Sequence, residues 1–465
     1  MKPNYTALIK IIIFTFLFVN ISFAQNSKIN GKVFDSENKL PLSGVIVSLD
    51  GKYQSTSTNS LGEYTFSKLF AGTYKIRIES IGYKKVVTEI TINSNDNEIA
   101  NPQTYLESNP LDISQIDVTA TTDYGKITVS PIDIKLRPTN TAQDFLKLVP
   151  GLFIAQHAGG GKAEQIFLRG FDIDHGTDIN IMVDGMPVNM VSHAHGQGYA
   201  DLHFMIPETI ENFSVYKGPY YSKFGDLGTS GSVNFSTLNS VQKNTAEIDI
   251  GKFNSYRGVL ILNILAKNGF LKTNKSENLY IASEYAYSDG YFEAKQNYNR
   301  FNIFGKYYGL LSKNTILSMT ASTFQSKWDA SGQIPQRAVD SNFISRFGSI
   351  DATEGGNTNR TNVNLSVINS LKNNQTITNQ FFYTNYGFNL YSNFTFFLND
   401  SLNGDEINQF EKRNLFGYNG SFSFLNRAGT TNFATVLGIG ARLSLIHISE
   451  PTRLRRISYA VFCLK

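Results

Sequence analysis

The sequence predicts a mainly β, exported protein with an N-terminal β-sandwich, a mixed α+β domain and part of an antiparallel transmembrane β-barrel. Aromatic residues make up 13% of the 465 residues and charged residues only 17%, a composition that favours many strands. From about residue 241 onward apolar and polar side chains alternate, as at Val363, Leu365 and Val367 with polar residues between them. The N-terminus resembles an export signal, which indicates that the chain leaves the cytoplasm.

Residues 1–24 have the features of a secretory signal peptide. Lys2 and Lys10 precede an apolar run at residues 11–19, and Ser22-Phe23-Ala24 supplies a cleavage site with small residues. The run is too short to cross a bilayer as a helix. No later run is long enough either, so contact with a membrane requires β structure.

Residues 28–107 are predicted to form a small all-β domain. Turn signals such as Asp50-Gly51 separate four strand-like runs, at residues 29–34, 45–49, 73–80 and 86–92. This pattern resembles the carboxypeptidase-regulatory-like β-sandwich. The segment contains no histidine and no zinc-ligand spacing, so it is interpreted as a structural or docking module and not as a peptidase.

A polar linker at residues 108–120 leads into the mixed domain at residues 121–240. Residues 141–149 are predicted to form a short helix, which Pro150-Gly151 ends. Strands are predicted at residues 165–169, 179–183 and 212–216.

Residues 241–442 are predicted to form the N-terminal part of the barrel. About ten alternating segments start near residues 245, 256, 278, 300, 315, 361, 375, 388, 413 and 431. Each has an apolar and a polar face and is rich in Tyr and Phe, as outer-membrane barrel strands are. A secreted soluble sandwich with long strands is the alternative that composition leaves open.

Residues 443–465 break the alternating pattern. They resemble the conceptual translation of a transposase-type sequencing adapter, and a divergent genuine C-terminus is the alternative. If this tail is foreign, His447 and Cys463, the only cysteine, carry no functional meaning. The signal peptide carries two positive charges and the tail a net three, so without them the formal net charge of +4 becomes about −1 and gives no reason to expect nucleic-acid binding.

Four stretches of the mixed domain resemble the plug domain of TonB-dependent outer-membrane receptors. They are GLFI at 151–154, FLRGF at 167–171, IMVDGMPVN at 181–189 and IENFSVYKGPYYSKFGDLGTSGSVNF at 210–235. The order of the domains also resembles that of receptors from Bacteroidetes-type bacteria. The resemblance identifies seven plug-motif residues, which are Arg169, Gly170, Asp184, Gly185, Lys217, Gly218 and Pro219.

The resemblance implies an outer-membrane receptor with a periplasmic N-terminal domain, and not an enzyme. Its implied partners are the TonB–ExbB–ExbD energising complex and outer-membrane lipids, without nucleic acid. A receptor barrel of this kind has about 22 strands, whereas about ten are visible here. An open barrel leaves unpaired N–H and C=O groups in lipid, so we expect that the chain as given does not insert and transport.

The linker string DISQIDVTA, residues 112–120, resembles a TonB box. Its core residues are Ile116, Asp117, Val118, Thr119 and Ala120. The resemblance implies β-augmentation, in which this extended segment adds a strand to an exposed sheet edge of TonB. A plain interdomain linker is the alternative.

Histidines are concentrated in the plug segment. Five of the six lie between residues 157 and 203, at His157, His175, His193, His195 and His203. On an extended strand, His193 and His195 would have both rings on one face about 7 Å apart, within reach of one ion. Together with Asp174 and Asp201, the last four histidines are predicted to bind a substrate that is, or contains, a transition metal such as Zn, Cu, Ni or Fe. No resident cofactor is expected.

Three other interpretations of these residues remain open. A polar network can pin the plug loops to the barrel wall, with His193 and His195 only forming hydrogen bonds. Residues 172–178 can be a calcium-type loop, although the full ligand set is absent. A hydrolase metal centre that includes Asp201 lacks a glutamate placed as a base.

The predicted function is TonB-dependent active import of a scarce substrate across the outer membrane. The substrate is a transition metal or metal chelate bound at the histidine-rich plug site. The alternative is an importer of glycans or peptides, paired with a surface lipoprotein, in which the plug histidines are structural.

Overall fold

The computed structural model describes residues 27–49, 54–80, 83–93, 98–100, 103–107, 126–129, 134, 139, 141–156, 160–173, 178–196, 198–371, 375–402, 404–428, 431–449 and 459–464. These residues fall into two compact units. One is built mainly from the N-terminal domain, and the other from the mixed domain together with the barrel strands.

The first unit is a β-sandwich. Its strands are β1 (Ser27–Asp35), β2 (Ile46–Leu49), β3 (Gln54–Ser57), β4 (Glu63–Leu69), β5 (Gly72–Glu79), β6 (Val86–Ile92), β7 (Glu98–Ala100) and β8 (Thr104–Leu106). One sheet has the order β4–β1–β7 with β8 also on β1, and the other has the order β3–β2–β5–β6. Buried aliphatic side chains such as Ile29, Val47 and Ile76 fill the space between them. The sandwich and its four predicted strands are confirmed, whereas short or polar strands such as β3 were not predicted.

The mixed domain contains two sheets. Its strands are β9 (Lys126–Val129), β10 (Leu152–Ala155), β11 (Gln165–Leu168), β12 (Phe171–Ile173), β13 (Ile179–Val183), β14 (Met186–Pro187), β15 (Ile210–Lys217) and β16 (Gly231–Thr237). The larger sheet has the order β14–β13–β16–β15–β9, and the smaller has the order β10–β11–β12. Strands β13 and β16 run parallel, whereas β15 is antiparallel to both of its neighbours. The three predicted strands are confirmed.

The helix predicted at residues 141–149 is a 3-10 helix, Ala142–Leu148. Thr141 and Asp144 form a capping box at its start. A second short 3-10 helix, Pro207–Thr209, precedes β15. None of the helices among the described residues combines the length and apolar character needed to cross a membrane.

The barrel strands form one sheet. They are β17 (Thr245–Gly251), β18 (Ser255–Ala266), β19 (Leu271–Lys272), β20 (Glu277–Ser288), β21 (Tyr298–Ser312), β22 (Thr315–Asp329), β23 (Gly355–Leu371), β24 (Gln375–Ser392), β25 (Ile407–Ala428), β26 (Thr431–Ser449) and β27 (Tyr459–Leu464). Successive long strands pair antiparallel, and short β19 lies beside β18. Within the described ranges the sheet is open, with β17 and β27 at its outer positions.

Two details of this sheet bear on the sequence predictions. The segments predicted to start near residues 375 and 388 are a single strand, β24, so that prediction is wrong. From Gln380 onward every even-numbered residue of this strand is buried and the odd-numbered ones are less so, except Gly387, which is also buried. Residues 443–449 extend β26, and the prediction of a foreign tail stays a prediction.

The two ends of the sheet differ in the length of their connections. Three connections at one end are long, at residues 289–297, 330–354 and 393–406, and another, at 252–254, is short. At the other end connections of two or three residues follow β21, β23 and β25, and residues 267–276 link β18 to β20. Outer-membrane barrels have long extracellular loops and short periplasmic turns, so the long connections mark the extracellular end. In the extracellular half of β24 the even-numbered residues are buried against the mixed domain. This inner face carries the contacts described next.

Candidate functional site

The residues Ser192-His193-Ala194-His195-Gly196, here named the SHAH turn, form a tight reversal of the chain in the mixed domain. The backbone groups of His193 and Gly196 bond in both directions, with N···O distances of 3.2 and 3.1 Å. The prediction that the two histidines lie on an extended strand is therefore wrong. Because the chain reverses here, the two rings have different surroundings.

The His193 side chain is fully buried among aromatic rings. Its ring stacks on Tyr199 with centroids 4.0 Å apart and lies edge-on to Phe388 at 4.6 Å. Its Nδ1 accepts the backbone N–H of His195 at 3.2 Å. The neutral ring therefore carries its proton on Nε2, which donates to the Tyr386 hydroxyl at 3.1 Å. Both ring nitrogens of His193 are thus already engaged in hydrogen bonds.

Strand β25 holds the SHAH turn from the barrel side. Glu411 accepts the backbone N–H of Ala194 at 2.9 Å. Gln409 donates to the Ala194 carbonyl and accepts from His195 Nδ1, both at 2.9 Å. Arg413 donates to the carbonyl of the first residue of the turn. This arrangement favours the interpretation of a polar network that pins a loop to the barrel wall.

His203 lies against other strands of the wall. Its Nδ1 is 2.8 Å from Asp201 Oδ1, and its carbonyl accepts from Asn302 of β21 at 2.9 Å. Burial opposes ionisation of the Asp201 carboxyl, but the charge and hydrogen bonds of His203 hold its pKa below the usual range. His203 also stacks near Phe324 of β22, whereas His193 contacts β24 and β25. The structure therefore places His193 and His203 in two separate contacts with the wall.

The Asp184-Gly185 motif forms the turn between β13 and β14. Both residues have positive φ, +47° and +76°, as a tight turn of the primed type requires. The Asp184 carboxylate accepts from the backbone N–H and the hydroxyl of Thr237 at 2.9 and 2.6 Å. Its carbonyl accepts from Gln380 at 2.8 Å and Asn364 at 3.2 Å, which belong to β24 and β23. This turn is therefore bonded directly to the barrel wall.

The remaining motif residues shape turns within the domain. Arg169 and Gly170, with φ of +56° and +82°, join β11 to β12 and are exposed. Lys217 ends β15, and Gly218 before Pro219 has φ of +76° with its N–H bonded to the Ser230 carbonyl at 3.0 Å. These residues shape the turns of the domain.

The TonB-dependent receptor plug domain matches residues 119–232, and the CarboxypepD_reg-like domain matches residues 29–118. The chain carries the plug domain of a TonB-dependent receptor. Members of this family are outer-membrane proteins, with the plug and the N-terminal region towards the periplasm. Residues 126–237 are accordingly called the plug below.

Relatives of this receptor include two vitamin B12 transporters BtuB of Vibrio vulnificus. The receptor is 28% identical to that of strain CMCP6 over 123 residues, which covers 26% of this chain and 19% of the relative. It is 25% identical to that of strain YJ016 over 164 residues, which covers 34% and 26%. These relatives are transporters, in agreement with the prediction that the chain is not an enzyme.

Solved structures show the same fold. The ferric citrate transporter FecA aligns with a TM-score of 0.58 at 14% identity, over 72% of this chain and 50% of FecA. The copper transporter OprC aligns with a TM-score of 0.54 at 17% identity, over 74% and 50%. The receptor chain thus spans about half the length of these structures and less of the curated relatives.

A charged network between the plug and the receptor wall was not predicted. Arg257 of β18 forms two hydrogen bonds of 2.8 Å to Glu208 of the plug. Glu284 of β20 accepts from Arg257 at 2.7 Å and from Arg300 of β21 at 2.8 Å. The sequence does contain a signal for this network. A charged residue at an inward position of an alternating strand is buried, and a buried charge needs a partner.

Several predicted site residues lie outside the described residues. They are Asp174, His175 and the TonB-box-like residues Ile116, Asp117, Val118, Thr119 and Ala120. Among the residues that the structure does describe, no three His, Cys, Asp or Glu side chains come together as a metal site would require. The metal site therefore stays a prediction.

Proposed function

We propose that this receptor imports a scarce substrate across the outer membrane with energy from the TonB–ExbB–ExbD complex. The observation that carries the proposal is the plug, whose Asp184-Gly185 turn and SHAH turn are bonded to the inner face of the barrel sheet. A plug held by many polar contacts blocks passage until a force displaces part of it. Because water can replace such contacts one at a time, a plug of this kind can be moved without unfolding the barrel.

The order of strands suggests where the force acts first. The TonB-box-like segment lies just before β9 in the sequence, and β9 is the outer strand of the larger plug sheet. Its pairing with β15 runs from Lys126 opposite Tyr216 to Val129 opposite Phe213. Pulling from the N-terminal side loads the Lys126 end alone, so the pairs open in succession. We infer that β9 detaches from β15 before the buried strands β13 and β16 separate.

The proposed substrate class is a metal ion or metal complex. Three of the similar proteins are named as transporters of vitamin B12, ferric citrate and copper. Since hydrogen bonds engage both ring nitrogens of His193, direct coordination there would first require breaking them. We therefore favour a complex that is bound above the SHAH turn over a bare ion bound by His193. His175 and Asp174 remain the proposed direct contacts.

Uptake of radiolabelled ferric citrate, cobalamin and copper by host cells tests this proposal. We expect accumulation of one of them to depend on the host's full-length receptor gene and on TonB. His175→Ala and Asp174→Ala should reduce that uptake severalfold. Asp340→Asn, at the exposed end of the short helix Gln336–Asp340, should not. TonB-dependent uptake of a labelled oligosaccharide or peptide in place of every metal compound would contradict the substrate class and leave import intact.

A further inference from the structure

The outward face of strands β22–β25 is divided into two chemically different zones. Because these strands pair in continuous register, their outward residues form rows that cross all four strands. Two neighbouring rows are apolar or aromatic, Ala321–Val363–Tyr383–Phe416 and Met319–Leu365–Phe381–Tyr418. Rows of this kind suit contact with lipid chains and their interface.

The three rows next towards the extracellular end are polar. They are Thr323–Thr361–Asn385–Asn414, Gln325–Asn359–Gly387–Lys412 and Lys327–Asn357–Asn389–Phe410. Ten of these twelve residues are polar and none is a carboxylate. We name these three rows the carboxamide band, after their five asparagines and one glutamine. The change from apolar and aromatic rows to this band takes place within one row.

The position of the band matches the headgroup layer of the membrane. From Thr361 to Asn357 the strand rises ~13 Å, or ~9 Å along the membrane normal at the usual tilt of barrel strands. The polar headgroup layer adds roughly 5–8 Å beyond the hydrocarbon on each side of a bilayer. The band therefore lies at the level of the outer-leaflet headgroups, directly above the aromatic rows that contact lipid.

Hydrogen bonds order the carboxamides of the band in advance. Asn414 Oδ1 accepts from the Tyr383 hydroxyl at 2.8 Å and from the Asn385 amide at 2.9 Å. Thr323 and Thr361 share a hydrogen bond of 3.1 Å across β22 and β23. Such amides both donate and accept, which is the pattern that sugar hydroxyls need.

The charge of the band is positive. Lys327 and Lys412 are exposed on this face, and no ion pair within the described ranges involves either of them. Each exposed lysine near an anionic lipid surface contributes about 1 kcal/mol of attraction. Two cations among carboxamides, without a carboxylate, fit a headgroup that carries both phosphate and sugar.

We propose that the carboxamide band binds the phosphorylated saccharide headgroup of a glycolipid in the outer leaflet. Lys327 and Lys412 attract its phosphates, and the asparagines bond to its sugar hydroxyls. This site is on the outside of the sheet and is independent of substrate import, which uses the inside. Failure of import in the uptake test would leave the lipid site unaffected.

The test uses the full chain, immobilised in detergent, with fluorescent lipopolysaccharide that consists of lipid A and the inner core as the probe. Lys327→Gln combined with Lys412→Gln should reduce retention of the probe at least about fivefold, because two attractive charges are lost. The matched control combines Lys272→Gln with Lys313→Gln, two exposed lysines at the opposite end of the sheet, and should retain the probe like the wild type. Lys327→Arg with Lys412→Arg keeps the charge and should restore retention, with strand content by circular dichroism confirming that each variant folds.

A second probe separates phosphate from sugar. The wild type should retain the enzymatically dephosphorylated probe more weakly than the phosphorylated probe. The wild type and the glutamine variant should retain the dephosphorylated probe equally. Equal retention of the phosphorylated probe by the wild type and the glutamine variant would overturn the proposal. An equal loss of retention in the control variant Lys272→Gln with Lys313→Gln would overturn it as well, since any exposed lysine would then attract the probe. Dimerisation of the wild type that the glutamine variant abolishes would reassign the band to contact between two copies.

Discussion

Glu208 of the plug and Arg257 of β18 form a two-point ion pair, with both N···O distances at 2.8 Å. Arg257 is 8% exposed and also donates to Glu284 at 2.7 Å. Planar two-point pairs are stronger than single contacts, and partial burial limits their screening by water. This pair connects the plug to the first strands of the sheet, on the side away from the SHAH turn.

Glu208→Gln should lower the free energy of unfolding of the full chain by about 2 kcal/mol, because a partly buried guanidinium loses a charged partner. Denaturant titration in detergent measures it, with the fluorescence of Trp328 as the signal. Trp328 is the only tryptophan and packs against plug residues such as Met190. Glu247→Gln, at an exposed position of β17, should change stability by less than about 0.5 kcal/mol. Equal effects of the two substitutions would contradict a role of the pair in holding the plug.

His193→Ala should lower the free energy of unfolding by about 3 kcal/mol, because a buried stacked ring and its hydrogen bond are lost. His195→Ala should lower it by about 1 kcal/mol or less, since that residue is only partly buried. Tyr386→Phe removes only the hydroxyl partner of His193 and should cost about 1 kcal/mol. The same denaturant titration compares all three variants. A larger effect at His195 than at His193 would show that the turn is held from its exposed side.

Gly185→Ala should destabilise the plug by about 1–2 kcal/mol. Its φ of +76° is costly for a residue with a β-carbon, and that carbon would lie 3.1 Å from Gln380 Oε1. Gly196→Ala in the SHAH turn is the matched control, because no atom lies within 4 Å of the added carbon. Thermal unfolding of both variants would decide this, and the prediction fails if Gly196→Ala is the more harmful change.

The extracellular connection at residues 330–354 should respond to pH through Glu354. Burial raises the pKa of this carboxyl to about 7, repulsion from Asp351 and Glu406 adds to the shift, and the backbone N–H of Asn393 opposes it. Because the folded pKa exceeds the ordinary value of 4.5, this group's stabilising contribution is complete below about pH 4.5. It is lost as the pH rises through about 7.

Hydrogen exchange of residues 330–354, corrected for intrinsic rates, should therefore be slower at about pH 6 than at about pH 8. Glu354→Gln should remove most of this difference, because the amide stays neutral at both values. Asp340→Asn, an exposed change in the same connection, should leave the difference in place. Persistence of the full pH effect in Glu354→Gln would assign it to another group.

Features encoded locally could be predicted from the sequence. Alternation of side chains and turn residues gave the strand positions of the sandwich, the plug and the barrel, because both signals depend on neighbouring residues. The motif Asp184-Gly185 was recognised as a tight turn for the same reason. Its bonds to Gln380 and Asn364 were beyond prediction, since they join residues 196 and 180 positions apart.

The histidine cluster shows the same limit more sharply. The composition of the SHAH turn allowed an extended strand with two rings on one face, and the structure gives a reversal instead. What fixes this reversal is Glu411 and its neighbours on β25, 217 positions from Ala194. Whether these histidines bind a metal or hold the turn to the barrel wall therefore depends on contacts between residues far apart in the sequence, which no local pattern contains.

Val118→Pro tests TonB-driven import most directly. β-Augmentation depends on backbone hydrogen bonds, and proline removes the N–H while alanine keeps it. In host cells, uptake of the labelled compound that the wild-type receptor accumulates should fall to the level of a strain without TonB in Val118→Pro and stay near wild type in Val118→Ala. Uptake by Val118→Pro equal to that of Val118→Ala, with equal amounts of both receptors in the outer membrane, would contradict import driven through this segment.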